Sequence, residues 1–439
     1  MHNKLNWHDT CAIGFMTFAL FLGAGNIIFP PLAGQLAGDN YLLSVAGFLL
    51  TAVGMPLLGI IAMAVVGGGF ETLTKHLPKT VGVVIGFAIY MAIGPMLAMP
   101  RTAVVAFEMG IVPFIGEESK QLFQAVWSVA FFAVAWVLAI NPGKLMHTIG
   151  KVITPALIFL LLVISISTFI IPQGEIGAAS GEWLTTPFSK GFTEGYLTMD
   201  TLAAMMFGMV IITNLKAHGI TDGRALTKYC IYAGIIAAVG LSIVYFSLFY
   251  LGATSGGISP NGTNGAVIFT QYVNSMYGTT GVASLAAVII LACLTTAVGL
   301  STAVSQYLCS LWPAISYRTM TTGLLIVCTI VANVGLSTLI SISVPILISI
   351  YPVAIVLIIL NLLKPVLRNP ESAFGLTLAV TFAISLIDGL NVAGFEWAKS
   401  LQEITAILPL FEQSLGWLLP AIIALAISQA IPPRQLAAA

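Results

Sequence analysis

The sequence predicts an all-α integral membrane protein with twelve transmembrane helices, and three observations predict it. Hydrophobic residues make up 58% of the 439-residue chain and charged residues only 7%, whereas soluble domains carry about 25% charged residues. Mean hydropathy is +1.02. Twelve apolar runs approach or exceed the roughly 20 residues a helix needs to cross a bilayer, and no run shows the alternation of a membrane β-barrel. Sixteen basic and sixteen acidic side chains give no net charge, which argues against a nucleic-acid partner.

In chain order the spans fall at about 11–32, 41–66, 81–110, 120–140, 147–171, 192–213, 229–253, 282–310, 319–335, 338–362, 372–391 and 410–431. Span 1 follows Lys4 but is too long for a signal peptide, is broken by Gly and Pro, and has no clear small-residue cleavage site. Span 3 carries Gly82-x-x-x-Gly86, read as packing, and two embedded charges, Arg101 and Glu108. Span 6 carries Asp200 and span 8 a Thr295-Thr296 pair, whereas Asp388 falls at the interfacial end of span 11. Residues 264–277 have a helix-like apolar pattern suited to lying along the outer surface. Cys11, Cys230, Cys293, Cys309 and Cys328 form an odd set without CxxC spacing and read as small core residues.

Basic residues set the orientation. Lys4, Lys75, Lys79, Lys144, Lys151, Lys216, Arg224, Lys228, Arg318, Lys364, Arg368 and Arg434 share the side of the termini, against Lys120, Lys190 and Lys399 opposite. Both termini are therefore expected in the cytoplasm. Glu117, Glu118, Glu175, Glu182, Glu396 and Glu403 all fall outside; Trp7 and Trp312 suit the inner interface, Trp183 and Trp397 the outer.

Two spans are interrupted. Span 1 reads GAGNIIFPP at 23–31; Gly23 and Gly25 are poor helix residues, and Pro30–Pro31 cannot continue the hydrogen-bond ladder. Span 6 reads GYLTMDTLAAMMFG at 195–208 and buries Asp200 in an apolar run, where an ionisable group marks a functional site by default. Interruptions at corresponding places in two halves point to a transporter site. Spans 1 and 6 correspond if the chain has two five-span halves of opposite topology, 1–172 and 190–364, with 365–439 adding two more helices. A short echo, Gly14-Phe15-Met16-Thr17 against Gly195-Tyr196-Leu197-Thr198, fits such a repeat. Backbone freed at a break can bind a cation through its carbonyls or a carboxylate through its N–H groups. The alternative for Gly23 and Gly25 is close helix packing.

In span 8, Thr295 and Thr296 stand three and four residues after Ala292, which places both hydroxyls on the face of its carbonyl. An all-oxygen set of this kind suits Na⁺; the alternative is hydroxyls bonding back to their own helix. Arg101 has two readings as well: a possible charge pair with Asp200 or a contact to substrate carboxylate, or a snorkelling side chain near the interface. His2, His8, His76, His147 and His218 scatter over cytoplasmic ends and form no metal cluster. HExxH, Walker A and GxSxG are missing, so no enzyme is expected.

The blocks GFMTFALFLGAGNIIFPP (14–31), GPMLAMPRTAVVAFEMGI (94–111), GYLTMDTLAAMMFG (195–208) and ACLTTAVGL (292–300) resemble the bacterial branched-chain amino acid:cation symporters, the LIV-II carriers of the amino acid–polyamine–organocation superfamily. The resemblance covers essentially the whole chain. It implies a LeuT-type five-plus-five inverted repeat with helices 1 and 6 broken, and import of leucine, isoleucine and valine with Na⁺, or in some members H⁺, across the inner membrane. It also implies a Na⁺ site at Ala19, Leu22, Ala292, Thr295 and Thr296, and a substrate site around Ala24, Gly25, Asn26, Leu197, Thr198, Asp200 and Thr201. A second Na⁺ at Asn26 and Thr198 lacks a matching group in span 7, and Asp200 departs from the small residue the wider fold uses. The expected partners are an amino acid and the lipid bilayer; no cofactor, nucleic acid or obligate protein partner is expected. An uncoupled channel or uniporter is the other functional class.

Overall fold

Helices, and among the described residues no strands, build the molecule. A computed structural model describes residues 5–116, 119–140, 142–260, 262 and 264–432. His2, Lys4, Glu117, Glu118 and Arg434 lie outside the described residues, as do the side chains of Lys144, His147, Lys151, Lys399 and Glu403.

Span 1 is two helices, α1 (Trp7–Phe21) and α2 (Ala24–Ala37). Span 2 is α3 (Tyr41–Leu49) and α4 (Met55–Val66), joined by a π-helical turn over Leu50–Gly54. The short α5 (Phe70–Leu73) leads to span 3, made of α6 (Lys79–Met91) and α7 (Ala98–Gly110). Spans 4 and 5 are α8 (Lys120–Ile140) and α9 (Pro142–Ile170). After α10 (Glu182–Thr185), span 6 is α11 (Pro187–Glu194), a 3₁₀ turn over Gly195–Thr198, and α12 (Asp200–Ala217). Span 7 is α13 (Gly223–Ala253), and α14 (Gly265–Leu311) contains span 8. Spans 9 to 11 are α15 (Tyr317–Ala332), α16 (Leu336–Leu363) and α17 (Pro370–Val392). The amphipathic α18 (Glu396–Thr405) precedes span 12, α19 (Leu418–Ala430).

Among the described residues, eight helical stretches are long and apolar enough to cross a membrane outright, and Leu157–Ile170 within α9, α15 and α19 are shorter apolar helices. Side chains confirm a lipid-facing surface: Leu122, Val126 and Val129 are 60–70% exposed along one face of α8, a stripe that water would not tolerate but hydrocarbon does.

The breaks differ from expectation in an instructive way. Span 1 breaks at Leu22–Gly23, and α2 runs straight through Pro30 and Pro31, both buried. A proline inside a helix removes one N–H each, so the carbonyls of Asn26 and Ile27 lose their donors while the rod continues. Span 6 breaks at Met199, which sits in the left-handed region at φ 63°, a cost of roughly 1–2 kcal/mol for a residue with a Cβ. The four-residue echo is not a structural correspondence: Gly14–Thr17 lies inside α1, whereas Gly195–Thr198 is the 3₁₀ turn at the break itself. Spans 2 and 3 have π turns that the sequence reading missed, over Leu50–Gly54 and over Ala92–Met96, the latter with Gly94 at ψ −120°; Gly94-Pro95 was the signal of the second.

Packing relates the two halves. The pieces of span 1 lie against α13, and those of span 6 lie against α3 and α4; exchanging 1 with 6 and 7 with 2 turns one relation into the other. Helix α14 packs on α7 and α2, and α17 packs on α16 and α19. Gly278, at φ 61°, divides α14. The segment before it is helical, as the 264–277 pattern suggests, but it is pressed inward. Phe269 and Tyr272 are fully buried, and a Cβ on Gly265 would stand 1.7 Å from the Ile28 carbonyl oxygen. Trp183 is also buried against protein, its carbonyl accepting from Asn40 at 3.1 Å, because α10 folds against α11 and α2. Span 12 is α-helical only from Leu418; before it stands a short 3₁₀ helix, Phe411–Gln413, flanked by Leu410 and Ser414 at positive φ.

Candidate functional site

A cavity opens where the two breaks meet. Gly23, Ala24, Gly25 and Asn26 from span 1 line it with Thr198, Met199 and Asp200 from span 6, Arg101 and Thr102 from α7, and Thr296 from span 8. Its apolar wall is Leu20, Phe21, Ile93, Ala98, Ala203, Phe207 and Leu300, with Phe21 and Phe207 edge to face at 5.6 Å.

The polar floor is built by the breaks. Helix α2 starts at Ala24, so its first N–H groups have no intrahelical acceptor. Asn26 turns its Oδ1 back to accept from Gly23 N–H at 3.0 Å, and its Nδ2 donates to Asp200 Oδ2 at 2.6 Å and to the Tyr245 hydroxyl. Tyr245, on α13, donates to the same Asp200 oxygen at 2.8 Å. Asp200 opens α12, where the positive end of the helix dipole favours a carboxylate. Thr198 donates to Gly195 O at 2.9 Å and accepts from Asp200 N–H at 3.4 Å. Thr201 is set back from the cavity: its N–H donates to the Tyr351 hydroxyl and its own hydroxyl to Thr51 O.

Arg101 is 2% exposed, which excludes the snorkelling alternative. Its Nη1 donates to Leu197 O at 2.9 Å, and the guanidinium lies 5.0 Å above the Phe29 ring. A Cβ on Gly25 would stand 2.5 Å from Nη2. The direct pair with Asp200 is not formed. Among the described residues the ion pairs are Lys120–Glu108 and Lys190–Glu182. Arg101 is anchored to the end of the first half of span 6, whereas Asp200 is held by Asn26 and Tyr245.

The cation candidates divide. Thr296 lines the cavity, and its hydroxyl is buried without a hydrogen-bond partner; it stands 3.5 Å from where a Cβ on Gly23 would be. Thr295 bonds back to Ala292 O at 2.7 Å, the alternative raised for this pair. Ala19 sits in the last turn of α1 and Leu22 caps it, and the end of that helix strips carbonyls of their donors. The break therefore meets span 8 at Thr296. Tyr245 and Phe29 had no signal beyond being aromatic residues in apolar runs.

A family model described as branched-chain amino acid transport protein matches residues 6–435. The chain belongs to this family. The branched-chain amino acid transport system 2 carrier protein of Pseudomonas aeruginosa is 49% identical over 97% of the chain and 96% of its own length. Branched-chain amino acid permease BrnQ of Escherichia coli K12 is 41% identical, covering 96% and 95%, and BraB of Bacillus subtilis is 41% identical, covering 99% of each. The family is one of transporters, not enzymes. Two solved structures share the fold: MhsT in complex with L-phenylalanine, at TM-score 0.56 and 16% identity over 95% of this chain and 98% of that one, and Mhp1 in its inward-facing conformation, at TM-score 0.60 and 12% identity over 96% and 90%. The LeuT-type architecture with spans 1 and 6 broken is thus the fold of this family member, a multi-pass membrane protein.

Proposed function

We propose that this carrier is a secondary active symporter of the bacterial inner membrane that imports leucine, isoleucine and valine together with Na⁺, with both termini in the cytoplasm. The observation that carries the reading is the cavity between the two breaks. It combines free backbone donors and fixed charges with an aliphatic and aromatic wall. An amino acid with an apolar side chain is the ligand that uses both. Its carboxylate meets the N–H groups near Gly25 and Asn26, where the dipole of α2 also favours negative charge.

Na⁺ is cargo, and Thr296 supports its place. A buried hydroxyl left unpartnered costs about 1–3 kcal/mol, and a hard cation between Thr296 and the carbonyls of Ala19 and Leu22 would offset that cost. Thr295 keeps lone pairs for the same ion while donating to Ala292 O. Such an ion ties span 1 to span 8, so its occupancy biases which side of the cavity is open. A proton-coupled reading has one observation in its favour, the buried carboxylate of Asp200 in the cavity. Uptake of labelled leucine, isoleucine and valine into proteoliposomes tests the reading. A symporter raises internal substrate above the external level; a uniporter or channel stops at equality, and that result would refute coupling.

A further inference from the structure

The cavity holds one cationic and one anionic side chain that are kept apart. Arg101 and Asp200 are each 2% exposed, yet neither is in an ion pair among the described residues. Opposite charges attract strongly where water is excluded, so their separation needs a cause. The cause is anchoring. Arg101 is fixed by the Leu197 carbonyl below 3 Å and by the Phe29 ring, and Asp200 by Asn26 and Tyr245. Each anchor leaves bonding capacity over. Arg101 Nε is buried without a partner, and its Nη2 lies beside Gly25. The hydrogen bonds from Asn26 and Tyr245 both fall on Asp200 Oδ2, and the residue lines the cavity. Small ions of one sign satisfy one group and strand the other, which is costly in a dry site.

A ligand with carboxylate and ammonium on one carbon satisfies both. We propose that Arg101 and Asp200 are a clamp for the zwitterionic head of the substrate: the guanidinium receives the α-carboxylate and Asp200 receives the α-ammonium. Arg101 stands next to Gly25, so the carboxylate meets the guanidinium and the free N–H groups of α2 together. The inference rests on the reading of the chain as an amino acid carrier and adds which side chains recognise the head group. It also makes the substrate ammonium, and not a second Na⁺, the cation beside Asn26 and Thr198.

Thermal-shift titration of the purified, detergent-solubilised carrier tests this with three ligands: leucine, leucinamide and 2-hydroxy-4-methylpentanoate. The amide lacks the carboxylate and the hydroxy acid lacks the ammonium. Wild type should bind each analogue at least about 100-fold more weakly than leucine, the scale of losing one buried charge partner. In Arg101→Gln, leucine and leucinamide should converge to within about 3-fold while the hydroxy acid stays disfavoured; in Asp200→Asn, leucine and the hydroxy acid should converge instead. Arg101→Lys keeps the charge but loses the planar fork, so it should retain a preference of about 10-fold for leucine over its amide and serves if the Gln variant fails to fold. A merely structural role for either residue would weaken all three ligands alike, and unchanged ratios would overturn the clamp. Absence of leucine binding by wild type would instead overturn the carrier reading itself.

Discussion

Thr295 and Thr296 are adjacent, chemically identical and differently employed, and that difference is testable. Thr296 has no hydrogen-bond partner, whereas Thr295 donates to Ala292 O. Valine keeps the shape and removes the hydroxyl. Thr296→Val should raise the Na⁺ concentration for half-maximal leucine uptake by about 10-fold or more, the scale of one lost oxygen contact to a charge. It should also abolish any Na⁺-dependent rise in melting temperature. Thr295→Val should shift Na⁺ dependence less, and Thr296→Ser should be mild. Wild-type Na⁺ dependence in Thr296→Val would remove Thr296 from the ion's path. Gly25 makes a second residue-scale case. Its hydrogen stands where any Cβ would be 2.5 Å from Arg101 Nη2 and 3.3 Å from Leu197 O. Gly25→Ala should weaken leucine binding about 10-fold, since overpacking costs ~1–3 kcal/mol, and Gly25→Leu should abolish it in a protein that still inserts. Leucine affinity in Gly25→Leu equal to wild type would show that the substrate does not reach this break.

At the scale of elements, all twelve spans were legible because hydrocarbon demands long apolar helices and the chain supplies them almost without exception. Breaks were half legible. Gly and Pro mark that a helix is disturbed, not where: Pro30 and Pro31 look like the stop yet lie inside α2, and the helix ends at Leu22, a residue with no breaking propensity. Met199 carries no sign of a left-handed turn at all. On either side of it the chain is held by tertiary contacts: Tyr196 stacks on Tyr351, ring centroids 4.3 Å apart, and Asp200 accepts from Tyr245. Arg101 and Asp200 were legible because each is expensive in a membrane; Thr102 and Tyr245 were not, since a hydroxyl in an apolar run costs little until it must find a partner. Gly278 offers a clean test of element geometry. Its φ is 61° with nothing within 4 Å of a built Cβ, so Gly278→Ala changes backbone preference alone. We expect a loss of ~1–3 kcal/mol in stability, read as a lower melting temperature, with leucine affinity unaltered; an unshifted melting temperature would mean that the turn between the buried segment and span 8 is not held in that conformation.

For the whole molecule, charge bears on orientation and coupling. The proposed orientation puts the crowd of basic residues in the cytoplasm and Glu182 outside, where it is exposed and pairs with Lys190 at 2.9 Å. With Cys11 and Cys309, the half-buried cysteines, replaced by Ser, Glu182→Cys should react with a membrane-impermeant thiol reagent from outside intact cells. Labelling from the cytoplasmic face alone would invert the topology. Coupling to Na⁺ is worth having: one charge entering down ~100 mV releases roughly 2.3 kcal/mol, enough for roughly 40-fold accumulation at ~1.4 kcal/mol per factor of ten. The central claim is that this energy enters through a Na⁺ bound between the span 1 break and Thr296. Labelled leucine uptake into proteoliposomes, with Na⁺ and pH gradients imposed one at a time, tests it most directly. An inward Na⁺ gradient at equal pH should drive leucine above the external concentration, and a pH gradient without Na⁺ should not. Accumulation driven by the pH gradient alone, indifferent to Na⁺, would contradict the account and move the coupling to Asp200.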